Sequence, residues 1–167
     1  SMRFATTLLL AFTACAAARP PSALVDSARV APEREPVLLV HGIYDSSKNF
    51  TVMKRYLEAL GLEVRAVDLE PNNGSTSLRE LASQVHTAAA ALQRETGAER
   101  IDVVGFSMGA LVSRYWITRL GGSGAVRRFV AISGPQNGTV LAYFSWQRGI
   151  RDMRPGSELL RELEGAG

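Results

Sequence analysis

An α/β fold built on a parallel sheet with helices on both faces is the architecture this sequence predicts, and three observations carry it. Short, continuous apolar runs at Val37–Val40, Ile101–Phe106 and 129–132 have the pattern of strands buried on both sides. Segments of helical periodicity lie between them. Strands joined by helical crossovers of this length pair in parallel, because parallel neighbours need such connections.

The elements follow in order. After the first strand comes a turn-rich stretch, 41–47, and then Phe50, Met53, Leu57 and Leu60 recur at helical spacing, with Gly61 placed to end the helix. Residues 62–69 alternate as a second strand, and Pro71 and Gly74 mark the loop after it. Ser77 and Glu80 have the spacing of a capping box for a helix striped by Leu78, Leu81, Val85 and Leu92 and closed by Gly97. The strand Ile101–Phe106, a helix over about 108–120 stopped by Gly121 and Gly122, and the strand at 129–132 complete the alternation. Beyond Gly138 the pattern loosens: Tyr143, Phe144 and Trp146 belong to a loop or short cap, and a last helix runs over about 157–163.

At 167 residues the chain has room for one modest domain, and 46% hydrophobic with 21% charged residues is a composition that packs a core. The net charge of +3 comes mostly from the first 31 residues, where Arg3, Arg19 and Arg29 face only Asp26. No basic run is interleaved with aromatics, which argues against nucleic-acid binding.

Met2 and Arg3 precede an apolar stretch from Ala5 to Ala18, long enough for a signal-peptide core and too short to span a bilayer. The expectation is a leader over 1–18, a linker over 19–35 and a catalytic-type domain over 36–167, in a protein that is secreted, periplasmic or lipid-anchored. Ala16-Ala17-Ala18 reads as a signal-peptidase site, and Phe12-Thr13-Ala14-Cys15 reads as a lipobox. Both readings stay open. Cys15, the single cysteine, is the lipidation candidate and excludes an intrachain disulfide.

The chemistry concentrates at Gly105-Phe106-Ser107-Met108-Gly109, a G-x-S-x-G at the junction of a buried strand and a helix. A serine there takes a strained turn conformation that lifts its hydroxyl above the carboxyl edge of the sheet, and the flanking glycines make room for it. The helix beginning at Met108 aims free N–H groups and the positive end of its dipole at that hydroxyl, so the Met108 N–H is a donor for an oxyanion. The second donor is expected from the loop after the first strand, His41-Gly42-Ile43, through the Ile43 N–H.

In these segments the chain resembles the α/β-hydrolase superfamily, and within it the small bacterial triacylglycerol lipases. The matching stretches are Val40-His41-Gly42-Ile43, the elbow continuing through Arg114 and Tyr115, and Ser133-Gly134-Pro135-Gln136-Asn137-Gly138-Thr139. The resemblance implies an α/β-hydrolase fold, Ser107 as catalytic nucleophile, Ile43 and Met108 as oxyanion hole, and hydrolysis of carboxylic esters of lipids through an acyl-enzyme. It implies no metal and no organic cofactor. In its motif His41, Gly42, Gly105 and Gly109 are structural members.

The family's triad runs Ser, Asp or Glu, then His along the chain, and here no histidine follows Ser107. His41 belongs to the oxyanion loop and His86 lies mid-helix, so each is expected to be structural. Asp152, Glu158, Glu162 and Glu164 are expected as solvated charges on the tail, and the triad Asp and His have no assigned residue. The expectation is that the C-terminal strands of the domain are missing from these residues. The alternative expectation is a shortened, catalytically incompetent hydrolase-fold protein that binds a lipid or protein partner.

Overall fold

The computed structural model describes residues 34–165. The leader, Cys15 and nearly all of the linker lie outside the described residues. Four parallel strands form one sheet in the order β2-β1-β3-β4, with β1 at Val37–Val40, β2 at Val64–Val67, β3 at Ile101–Phe106 and β4 at Val126–Ile132. Five helices are described: α1 at Thr51–Ala59, α2 at Leu78–Thr96, α3 at Met108–Arg119, α4 at Arg148–Asp152 and α5 at Glu158–Glu164. A 3₁₀ turn, Val140–Phe144, precedes α4.

The alternation of β1 sorts the core into two layers. Leu38 and Val40 pack with Val103, Leu81, Val85, Leu111 and Leu160 on the face covered by α2, α3 and α5. Val37 and Leu39 pack with Phe50 and Val64 on the opposite face, under Met53 and Leu57 of α1. A strand with no exposed face has to be apolar at every position, which explains the unbroken run that made β1 legible. Helix α1 itself buries no residue fully, so it lies over the sheet as a half-exposed cover.

Several boundaries move from those expected. Strand β4 begins at Val126 rather than at residue 129, because pairing with β3 continues through Arg128 and Val126 around a register shift at Ile101/Asp102. Strand β2 is shorter than its sequence pattern, covering only the residues that meet β1. Most of β4 is exposed or half-buried, and Val130 is 50% exposed at the sheet edge.

The capping box is only half made. Ser77 caps α2 by accepting from the Arg79 N–H at 3.3 Å, while Glu80 turns away to Thr76 and Arg148. The missing contact is replaced by Asp152, whose Oδ2 accepts from the Ser77 hydroxyl at 2.8 Å and from the Leu78 N–H at 2.9 Å. A carboxylate is favoured there because it meets unsatisfied N–H groups at the positive end of α2. Asp152 is therefore a tie between α4 and α2 and not a solvated charge.

Glu162 likewise departs from expectation. It accepts from Arg79 Nη2 at 2.6 Å and from the Tyr115 hydroxyl at 2.9 Å, fastening α5 to α2 and α3. The Arg79 hydrogen bond holds its carboxyl below the usual range, against a smaller opposing effect of burial. Its two partners shift upward: Arg79 through its bond to Glu162, and Tyr115 first through burial and then through the same carboxylate.

Candidate active site

The sharpest backbone feature of the molecule is at Ser107, with φ 52° and ψ −119° between β3 and α3. A non-glycine residue in this region costs on the order of 1–3 kcal/mol and persists only where its surroundings enforce it. Here the Ser107 N–H donates to Ile132 O of β4 at 2.8 Å, which extends the sheet ladder by one residue. The chain then reverses directly into α3.

That reversal presses α3 against the sheet. A Cβ on Gly109 would sit 2.3 Å from Val40 O, and one on Gly105 would sit 2.6 Å from the Ala110 Cα. Both glycines are thus demanded by backbone contact, and a Cβ on Gly42 would lie 3.1 Å from the Ser107 Cβ on the other side. The three glycines of the motif are one packing arrangement that sets Ser107 beside the 41–43 loop.

Around the serine lies a cavity of about 340 Å³ lined by Ile43, Ser107, Ser133, Leu141, Ile150 and Met153, among others. It opens at the carboxyl ends of β1, β3 and β4, where ligands bind in sheets of this type. The N–H groups of Ile43 and Met108 donate to no acceptor among the described residues. Met108 is the first residue of α3, so its N–H is one that the helix cannot satisfy itself. A pair of free donors beside a strained hydroxyl can stabilise charge on a carbonyl oxygen attacked from Ser107.

The two histidines are elsewhere engaged. His41 is fully buried; its Nδ1 lies 2.8 Å from Gly42 O and its Nε2 accepts the Leu69 N–H at 2.9 Å. Accepting at Nε2 assigns the ring proton to Nδ1, so both nitrogens are used in tying the end of β1 to the end of β2. His86 is exposed on α2 and accepts the Trp116 Nε1–H at 3.1 Å. Neither is bonded to Ser107, whose Oγ hydrogen-bonds to none of the described residues.

Arg114 and Tyr115 serve the scaffold. Arg114 donates to Gln136 Oε1 at 3.0 Å and to Leu163 O at 3.2 Å. Gly138, at φ 87°, lets the chain pass Pro155, and Thr139 caps the following turn by accepting from the Leu141 N–H. Among the described residues no group of three or more His, Cys, Asp or Glu could hold a metal ion.

Ser133, which the sequence offered only as part of a family-matching stretch, is a second strained residue at φ 51°, following β4 on the cavity wall; sequence reasoning gave it no role. It also missed Ile150 and Met153. Their spacing of three falls on a helix of only five residues, too short to show a period. Tyr143, Phe144 and Trp146, expected in a loop or short cap, are 56%, 87% and 86% exposed and do not line this cavity.

Comparison with known proteins now bears on this geometry. Residues 36–156 match the palmitoyl protein thioesterase family. A triacylglycerol lipase of Pseudomonas fragi is 30% identical over 115 residues, 65% of this chain and 37% of the lipase. A lysosomal thioesterase of Mus musculus is 30% identical over 106 residues, 62% of this chain and 35% of that protein. This chain therefore spans little more than a third of the length of these relatives. Among solved structures, a Bacillus licheniformis lipase superposes with a TM-score of 0.70 at 17% identity, covering 80% of this chain and 59% of that one. Aspergillus fumigatus lipase B gives 0.67 at 19% identity, covering 82% and 35%. These likenesses show the α/β-hydrolase fold.

Proposed function

We propose that this chain, which belongs to the palmitoyl protein thioesterase family, acts on acyl esters or thioesters through Ser107. The observation that carries the reading is the strained Ser107 at the mouth of an apolar cavity, flanked by the unbonded N–H groups of Ile43 and Met108. Ser107 Oγ attacks the acyl carbonyl carbon, and the oxyanion accepts hydrogen bonds from both N–H groups. Collapse expels the thiolate or alkoxide and leaves an acyl-serine. Water then releases the fatty acid.

The apolar wall of Ile43, Leu141, Ile150 and Met153 suits an acyl chain, and the relatives named as lipase and thioesterase support substrates of that class. The proton of Ser107 has to pass to a base that is neither His41 nor His86, given their partners. Export from the cytoplasm, with cleavage after Ala18 or acylation of Cys15, belongs to the same proposal and rests on the leader pattern alone.

A palmitoyl thioester assayed by thiol release, beside its oxygen-ester analogue, tests the reading. Turnover is expected for at least one, and it falls by about two orders of magnitude or more in Ser107→Ala. Among the described residues neither histidine is bonded to Ser107, and a second reading is a hydrolase-fold protein that binds acyl compounds without cleaving them. Saturable binding of the thioester by a folded sample with no thiol release selects that reading.

A further inference from the structure

The short helix α4 separates two unlike spaces. Ile150, with Met153 just beyond the helix, faces the Ser107 cavity, whereas Arg148 and Arg151 face a second cleft of about 440 Å³. That cleft is also lined by Arg79, Arg154, Tyr143 and Glu158. Four arginines thus line one cleft, together with Asp152 and Glu158.

Their partners leave cationic capacity unspent. Asp152 is consumed by Ser77 and the α2 N-terminus, and Glu162 is shared by Arg79 and Tyr115. Glu158, 78% exposed, stands 3.8 Å from Arg79, and Arg148 meets only the exposed Glu80 at 3.8 Å. Arg151 has no side-chain partner among the described residues. Arg154 is fixed in place: it donates to Ala142 O at 3.1 Å and Ser145 O at 2.8 Å and lies over the rings of Tyr143 and Trp146.

A guanidinium held by carbonyls keeps N–H groups for a further acceptor, and several around one cleft match the oxygens of a phosphate. The helix is itself anchored, since a Cβ on Gly149 would lie 2.2 Å from Thr76 O and Asp152 binds the α2 N-terminus. The arginines are therefore presented on a fixed partition.

We propose that the cleft lined by Arg79, Arg148, Arg151 and Arg154 binds a phosphate group, while an acyl chain occupies the separate Ser107 cavity on the other side of α4. The assignment of the acyl chain rests on the proposed hydrolase reading; the phosphate site does not. The source of the phosphate is a soluble phosphate ester or a lipid headgroup. Trp146, 86% exposed, lies under Arg154 of the cleft.

The full chain is titrated with inorganic phosphate and, separately, with phosphatidylglycerol vesicles, with Trp146 fluorescence and co-sedimentation as readouts. Saturable binding is expected, weakened at least tenfold in the Arg148→Ala/Arg151→Ala double variant and unchanged in Arg128→Ala on β4. Binding of inorganic phosphate assigns a soluble source, and binding of vesicles alone assigns a headgroup. Binding of neither probe, or equal binding by the double variant, overturns the proposal. Because no step requires turnover, labelling of Ser107 by a fluorophosphonate in the same samples reports independently on the hydrolase reading.

Discussion

At the level of single residues, the positive-φ residues Tyr44, Ser107 and Ser133 meet around one cavity. Ser107 is held at φ 52° by its N–H bond to Ile132 and by the contact of α3 with β1. Removing its hydroxyl leaves that backbone intact, so Ser107→Ala is expected to fold with thermal stability within about 1 kcal/mol of the parent while losing every reaction at the serine. Gly109 behaves oppositely. A methyl group 2.3 Å from Val40 O has nowhere to go, and Gly109→Ala is expected to cost about 3 kcal/mol or more in urea unfolding. His41→Ala removes the partner of the buried Leu69 N–H, with an expected loss of about 2–4 kcal/mol. The G-x-S-x-G was legible because a strand run stops where a helix starts. Ser133 was not, since its strain arises from the meeting of β4 and the cavity wall and leaves no local pattern.

At the level of elements, legibility followed burial. The strands β1 and β3 were read from apolar runs because protein covers both their faces, and the helix α2 from a periodic apolar stripe because one face is buried and the other meets solvent. The edge strand β4 was read with its start three residues too late, as polar and apolar residues serve equally where water is a neighbour. Asp152 and Glu162 were misread for a different reason. Their partners, Ser77 and Arg79, come from an element more than seventy residues earlier, and no sequence spacing reports such a meeting. Glu162 supports α5 only while ionised. Its folded-state pKa lies below its unfolded one, so its stabilisation is full above the unfolded value of about 4.3 and is lost as pH falls through the folded one. Glu162→Gln is accordingly expected to be less stable than the parent at pH 7, with the gap narrowing as pH falls into the acid range, as read by thermal unfolding.

For the whole molecule, a doubly covered parallel sheet places the ends of β1, β3 and β4 around one apolar cavity. On the far side of the sheet from β2, β4 exposes Val130 on an edge with no neighbour among the described residues. An uncapped strand of seven residues is a template for another chain. Val130→Lys is expected to lower concentration-dependent association of this chain in light scattering and to leave its circular dichroism unchanged.

The central claim is that Ser107 is a nucleophile poised by its turn and by two backbone donors. Treating the folded chain with a fluorophosphonate and mapping the adduct by mass spectrometry addresses it directly. A single phosphonyl group on the peptide carrying Ser107, absent from Ser107→Ala, is the result predicted. A folded, unlabelled chain, or a label that persists in Ser107→Ala, would contradict it.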